Sequence, residues 1–216
     1  MKDFIHRHKI FWLQKPLRIS AIYSVILLIL SFVVNYYANV YTNLRASNYV
    51  SDLFLDNLPV VNVDWVFFEG FVIFWIFVIF ILIKDPHRLP FAVKSIALFV
   101  IVRSMFMILT HIAEPPNHSI LDTNWFFSLM TTGNDLFFSS HTGLPFLMAL
   151  NFWKNKKIRV FFILATIIFA SSVLLGHLHY SIDVFSALFI TYGIFRISQI
   201  IFPNDYKLLL EESAEK

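Results

Sequence analysis

The chain alternates long apolar runs with short polar stretches. The runs cover roughly 19–40, 65–83, 91–112, 137–153, 158–175 and 181–202. A helix needs ~20 predominantly apolar residues to cross a bilayer. The pattern therefore predicts an all-α membrane protein, a bundle of six transmembrane helices over residues 19–202, with the fourth run on the short side. A basic flank (1–18) precedes the bundle and a polar tail (203–216) follows it. The first run lacks a small-residue cleavage site and reads as a span, not a removed signal. Asp64 is placed to cap the second run, and Pro115 and Pro116 to end the third. Within the polar stretch 113–138, the apolar piece 125–130 is too short to span and is expected to lie in the interface.

Composition agrees with this picture. Of 216 residues, 58% are hydrophobic and 14% charged, where a soluble domain carries roughly 25% charged residues. The 26 Phe and 5 Trp are expected to face lipid, line interfaces or pack the bundle. There is no cysteine, which excludes disulfides and thiolate metal sites. The net charge of +3 is modest, and nothing in the sequence points to nucleic acid. The distribution of charge is more informative. Lys and Arg gather in the N-terminal flank, the 84–94 turn and the 154–159 cluster, whereas the 41–64 and 113–138 loops carry carboxylates and one Arg. The positive-inside rule then places both termini and the basic turns in the cytoplasm. The two acidic loops fall on the other face.

That topology brings two histidines together. The fourth and sixth runs both enter the membrane from the non-cytoplasmic side, with His141 and His179 at or near their first turns. Helix N-termini present free N–H groups and a positive dipole end, which suits an anion. Ser139, Ser140 and Thr142 add hydroxyl donors. Asp183 follows His179 by four residues, so a helix starting there would put both on one face. A carboxylate on one imidazole nitrogen makes the other a better base or nucleophile. Arg103 lies about nine residues, or ~13 Å, inside the third run. At that depth a guanidinium needs a carboxylate, carbonyls or a phosphate, and binding a lipid phosphate or pairing with Asp183 or Asp135 are the options. Asp135 either caps the region before the fourth run or orients His141. His177 reads as a packed or solvated histidine. No metal or other cofactor is expected, because His141, His177, His179 and Asp135 lack a ligand spacing such as HExxH.

Phe138-Ser139-Ser140-His141-Thr142 and His179-Tyr180-Ser181-Ile182-Asp183 resemble the two histidine motifs of the sphingomyelin synthase family, a branch of the lipid phosphate phosphatase superfamily. Arg103 with Met105 and Met107 resembles its arginine-containing segment, and Asp56-Asn57-Leu58-Pro59 its short Pro/Leu/Asp motif. Ser140 stands where the family has glycine, so the backbone there is less free. The wider superfamily's Lys-x6-Arg-Pro motif is missing, and Ser171-Ser172-Val173 lacks the arginine of its Ser-Arg pair. Fewer cations suit a singly charged phosphodiester better than a phosphomonoester.

The resemblance implies a six-helix fold of lipid phosphate phosphatase type. It also implies a phosphotransferase that moves a phospholipid headgroup phosphoryl to a lipid alcohol such as ceramide or diacylglycerol. His179 would be the nucleophile, Asp183 its orienting carboxylate and His141 the acid and base. Ser139, Ser140, Thr142, Arg103 and Asp135 would contact substrate. Two other readings are a phosphatase of the same superfamily and a non-catalytic membrane protein that binds lipid.

Overall fold

The computed structural model describes residues 8–9, 11–119 and 136–214. Among these there are helices and turns but no strand. The helices are α1 (Lys15–Arg45), α2 (Phe71–Lys84, entered through a π-helical turn at Val66–Gly70), α3 (Leu89–Leu109), α4 (Ser140–Asn151), α5 (Lys156–Leu175), α6 (Ser181–Ile201) and α7 (Pro203–Ala214). Among the described residues five helical segments are long and apolar enough to cross a membrane: Lys15–Arg45, Val66–Lys84, Pro86–Leu109, Lys156–Leu175 and Ser181–Ile201. Their outer faces carry large bare apolar side chains, such as Phe189 at 80% and Ile200 at 78% exposure. Surfaces of that kind suit lipid, not water.

The six-span expectation needs one correction. The fourth run is helical only over 12 residues, or ~18 Å, well short of the ~30 Å hydrocarbon core. The physical reason lies at both ends. Residues 136–139 are turn or extended backbone, and the helix stops at Asn151, where the basic cluster begins. Ten of the 12 residues are buried. The helix is the core of the bundle and packs against α5, α6 and α3. Pro145 lies inside it, beyond the first turn, where the missing N–H deprives the His141 carbonyl of its intrahelical donor. Asp64 also differs from expectation. Phe67 N–H bonds to the Val63 carbonyl at 2.8 Å, so Val63 caps this helix and Asp64 sits inside its first turn.

The packing is aromatic. Phe74, Phe162 and Phe169 meet edge-on between α2 and α5, and Phe99 of α3 meets Phe138. Helices in lipid gain little from hydrophobic transfer and depend on close contact and internal hydrogen bonds. The α1 seam shows this, burying Ser24, Ser31, Ala38, Asn39 and Thr42. Gly143 shows it more sharply. A Cβ there would lie 2.5 Å from the Phe99 ring and 2.8 Å from Thr191 Oγ1.

At one end of the bundle, Lys94 is buried and bonds to Asp205 and Ser20, so that α1, α3 and α7 are tied together. Arg88 pairs with Asp85 at 2.8 Å and reaches the Asn151 carbonyl. The described basic residues of the 84–94 and 154–159 stretches gather at this end, and the polar tail forms α7 against it.

At the other end, residues 47–63 and 110–119 fold over the helices. Ser47 N–H bonds to the His111 carbonyl and Ala113 N–H to that of Asn48. Asp52 anchors this layer. Its Oδ1 accepts from Phe54 and Leu55, and its Oδ2 accepts the Ser181 N–H at 2.7 Å. Burial alone would raise its pKa, but the Ser181, Leu55 and Phe54 donors outweigh that and hold it below the ordinary 3.8.

Two outcomes are expected for the purified protein in detergent. Gly143→Ala should cost about 1–3 kcal/mol by overpacking. Gly193→Ala, with nothing within 4 Å, should be neutral or gain roughly 0.5–1 kcal/mol as a helix-interior glycine replaced. Thermal unfolding reads both. The Asp52 carboxylate has a depressed folded pKa, so its stabilisation is complete above the unfolded value and disappears as pH falls through the folded one. Thermal midpoints measured below about pH 4 should fall more steeply for the wild type than for Asp52→Asn.

Candidate active site

Two chain segments build the site, and one hydrogen bond joins them. Ser139 N–H, at the cap of α4, donates to the Asp183 carbonyl in the first turn of α6 at 3.1 Å. The starts of the two histidine-bearing helices therefore abut. His141 and His179 lie within electrostatic reach of each other, and His141 within reach of Arg103.

His179 is not on the helix. It precedes α6 by two residues, with Tyr180 in the cap position and extended. The expected i, i+4 contact still forms, by a different route. Asp183 turns back to the cap and accepts the Tyr180 N–H on Oδ2 at 3.0 Å, and the same oxygen lies 3.4 Å from His179 Nδ1. Asp183 is fully buried and His179 is 5% exposed. Asp183 Oδ1 has no hydrogen-bond partner among the described residues. With Nδ1 facing the carboxylate, Nε2 is the free nitrogen.

His141 sits in the first turn of α4. Its ring stacks on Phe67 at 4.0 Å and leans on Phe71 at 4.1 Å between centroids. Nε2 lies 3.3 Å from the Phe67 carbonyl. Phe67 belongs to the π-helical turn, a geometry found mostly as single turns and often at functional sites. Nothing in the sequence around Phe67 and Phe71 marks them out from the other phenylalanines.

The two helix N-termini differ, and this changes the expected anion site. At α6 the Ser181 N–H is taken by Asp52 and the Asp183 N–H by the Tyr180 carbonyl. At α4 the cap Ser139 makes no side-chain bond to the helix. The first intrahelical bond runs from Gly143 N–H to the Ser139 carbonyl. The hydroxyls of Ser139 and Thr142 are fully buried without partners among the described residues. Ser140 is half-buried at the first helical position. Of these two termini, α4 is thus the one left open and positively polarised among the described residues.

Arg103 is buried six residues before the end of α3. Its Nε donates to the Phe138 carbonyl at 2.8 Å and Nη1 approaches Met107 Sδ at 3.1 Å. It therefore supports the chain just ahead of the α4 cap. Asp183 pairs with His179 and the Tyr180 N–H, not with Arg103. Asp135 and the 125–130 piece lie outside the described residues.

The segment from Leu175 to Ser181 is laced to the covering loops. Val61 N–H bonds to the Leu175 carbonyl and Ser119 N–H to that of Gly176. Tyr180 Oη accepts from Val50 N–H and donates to the Ala113 carbonyl. Helix α5 ends in a Schellman turn, with Leu178 N–H to Val173 and His177 N–H to Leu174. His177 occupies the left-handed position, φ 53°, that usually falls to glycine. The glycine stands one residue earlier, where a Cβ would meet Val63 at 2.5 Å. His177 is buried, and its Nε2 has no partner among the described residues. It lines a cavity of about 340 Å³ with Asp52, Asp56 and Tyr180. Among the described residues no group of three His, Asp or Glu side chains is placed to share a metal ion.

No curated protein and no solved structure matches this chain. Residues 132–200, which contain both histidine motifs, match the family model described as PAP2 superfamily C-terminal. Over that stretch the chain is similar to the lipid phosphate phosphatase superfamily, whose members are phosphatases or phosphotransferases.

Proposed function

We propose that this protein is a membrane lipid phosphotransferase, moving the headgroup phosphoryl of a phospholipid to a lipid alcohol through a phosphohistidine. The observation that carries the reading is the buried, uncapped start of α4 beside the His179–Asp183 pair. Among the described residues the first N–H groups of α4 have no side-chain cap and the Ser139 and Thr142 hydroxyls no partner, a donor set matched to phosphoryl oxygens.

In the first half-reaction the Nε2 lone pair of His179 attacks phosphorus. A P–N bond forms, and the P–O bond to the diacylglycerol oxygen breaks. Asp183 holds the ring and offsets the positive charge that develops on it. His141 gives a proton to the departing oxygen. With Nε2 bonded to the Phe67 carbonyl, Nδ1 is the nitrogen left for that transfer. In the second half the acceptor hydroxyl attacks phosphorus, its proton passes to His141, and the P–N bond breaks. Ser139, Ser140 and Thr142 would hold the phosphoryl oxygens. Arg103 adds positive charge nearby while it braces Phe138.

A diester donor is favoured because the cation-rich motifs that serve a doubly charged monoester are missing. Ceramide or diacylglycerol suits a site set among apolar spans. Phosphocholine and phosphoethanolamine are donor groups of the right kind. The basic residues at the far end of the bundle support cytoplasmic termini, with the site on the opposite face. The similarity to the lipid phosphate phosphatase superfamily also favours a second reading, a phosphatase that releases free phosphate from a lipid monoester.

His179→Ala should abolish turnover in reconstituted vesicles while leaving a folded bundle by thermal unfolding. Retained activity would remove the nucleophile assignment. Asp183→Asn should lower kcat by at least about a hundredfold, the scale of losing an orienting carboxylate. Labelled phospholipid offered with ceramide or diglyceride should yield a new phosphodiester lipid and a trapped phosphohistidine at position 179. Free phosphate from phosphatidic acid, with no diester product, would favour the phosphatase.

A further inference from the structure

Asp52 lies 129 residues from Ser181 in sequence, in a loop outside the two histidine motifs, yet its Oδ2 accepts the Ser181 N–H at 2.7 Å. Ser181 is the first helical residue of α6. It stands between His179 on one side and Asp183 on the other, so any shift of it changes the separation of the pair. That separation is 3.4 Å, at the long limit of a hydrogen bond. A small displacement would break it.

Asp52 is built to resist displacement. Its Oδ1 holds two backbone N–H groups of its own loop, and its own N–H donates to Asp56 Oδ2 at 3.2 Å. The Ser181, Leu55 and Phe54 donors keep it charged at neutral pH despite burial. A fixed negative charge ahead of α6 also opposes the positive end of that helix dipole. The first turn of α6 is thus tethered from outside as well as by its own Asp183.

We propose that Asp52 is a positioning residue for the His179–Asp183 pair, acting through the first backbone N–H of α6. The proposal rests on the phosphotransferase reading of this site. Among the described residues the Asp52 carboxylate bonds to Phe54, Leu55 and Ser181 and not to His179. It fixes where the nucleophile stands.

Ser181→Pro removes both donors that Ser181 offers Asp52, its N–H and its hydroxyl. Ser181→Ala removes the hydroxyl alone and should stay within about twofold of wild-type kcat, so the pair isolates the backbone contact. Proline is favoured at the first helical position, where its missing N–H costs the helix nothing. The preceding Tyr180, at φ −68° and ψ 156°, already has the extended backbone that proline demands. The proline substitution therefore removes both donors and leaves the helix start intact. Asp52→Ala removes the acceptor. Ser181→Pro and Asp52→Ala should each lower kcat for phospholipid turnover by about ten- to a hundredfold, as displaced catalytic groups do, with KM held within about twofold. The double variant should fall no further than the worse single. Asp56→Ala, which loses one loop bond, should stay within about twofold of wild type.

Wild-type kcat in Ser181→Pro or in Asp52→Ala would overturn the proposal, as would losses that multiply in the double. If Asp52→Ala fails to fold, Ser181→Pro alone decides. His179→Ala, run alongside, separates the two ideas. An inactive His179→Ala beside fully active Ser181→Pro would sink the positioning role alone, while an active His179→Ala would sink the site reading and the positioning role with it.

Discussion

One backbone hydrogen bond, from the Ser139 N–H to the Asp183 carbonyl, joins the two halves of the candidate site. It is worth only about 1 kcal/mol as an exchange for water. Its importance is geometric, because it sets the start of α4 against the first turn of α6 and so fixes both histidines in one frame. Arg103 reinforces it by holding the Phe138 carbonyl one residue earlier. The loop bonds at Leu175, Gly176, Tyr180 and Ser181 do the same on the other side.

Two adjacent helix starts with the same dipole orientation would repel unless something neutralised one of them. Asp52 and Asp183 do so at α6, where their carboxylates accept N–H groups. The α4 start is left open, with its hydroxyls unpartnered among the described residues. A buried donor without a partner costs ~1–3 kcal/mol. That cost is recovered when an anion arrives. The asymmetry fits the proposed mechanism, in which one terminus would orient the nucleophile and the other would receive charge.

Much of this was legible in the sequence. Five of the six apolar runs became helices of spanning length, because run length and hydropathy decide that directly. The two histidine motifs were legible because ionisable residues are expensive beside apolar runs. The His179–Asp183 contact was expected for the right pair and the wrong reason. Spacing assumed a helix through both, whereas Asp183 reaches back to a cap. The fourth run was over-read as a span, because its apolar stretch includes Phe137, Phe138, Phe152 and Trp153, which lie outside α4. Asp52 and the Phe67–His141 stack were not legible. Both depend on long-range pairing, 129 and 74 residues apart, that no local pattern encodes.

The shortness of α4 is itself part of the argument. At ~18 Å it cannot reach both surfaces, so each end must find partners inside the bundle. Its C-terminal Asn151 carbonyl receives the Arg88 guanidinium at 3.3 Å, and Arg88 is itself paired with Asp85. A cation therefore sits on the negative end of the dipole, where such contacts contribute up to ~2 kcal/mol when buried. Among the described residues no side chain caps the positive end, which abuts the first turn of α6. A long span would put its free N–H groups in the headgroup layer, where water satisfies them. A short helix withdrawn into the bundle keeps them dry, and a dry site is where a phosphoryl group gains most from oriented dipoles.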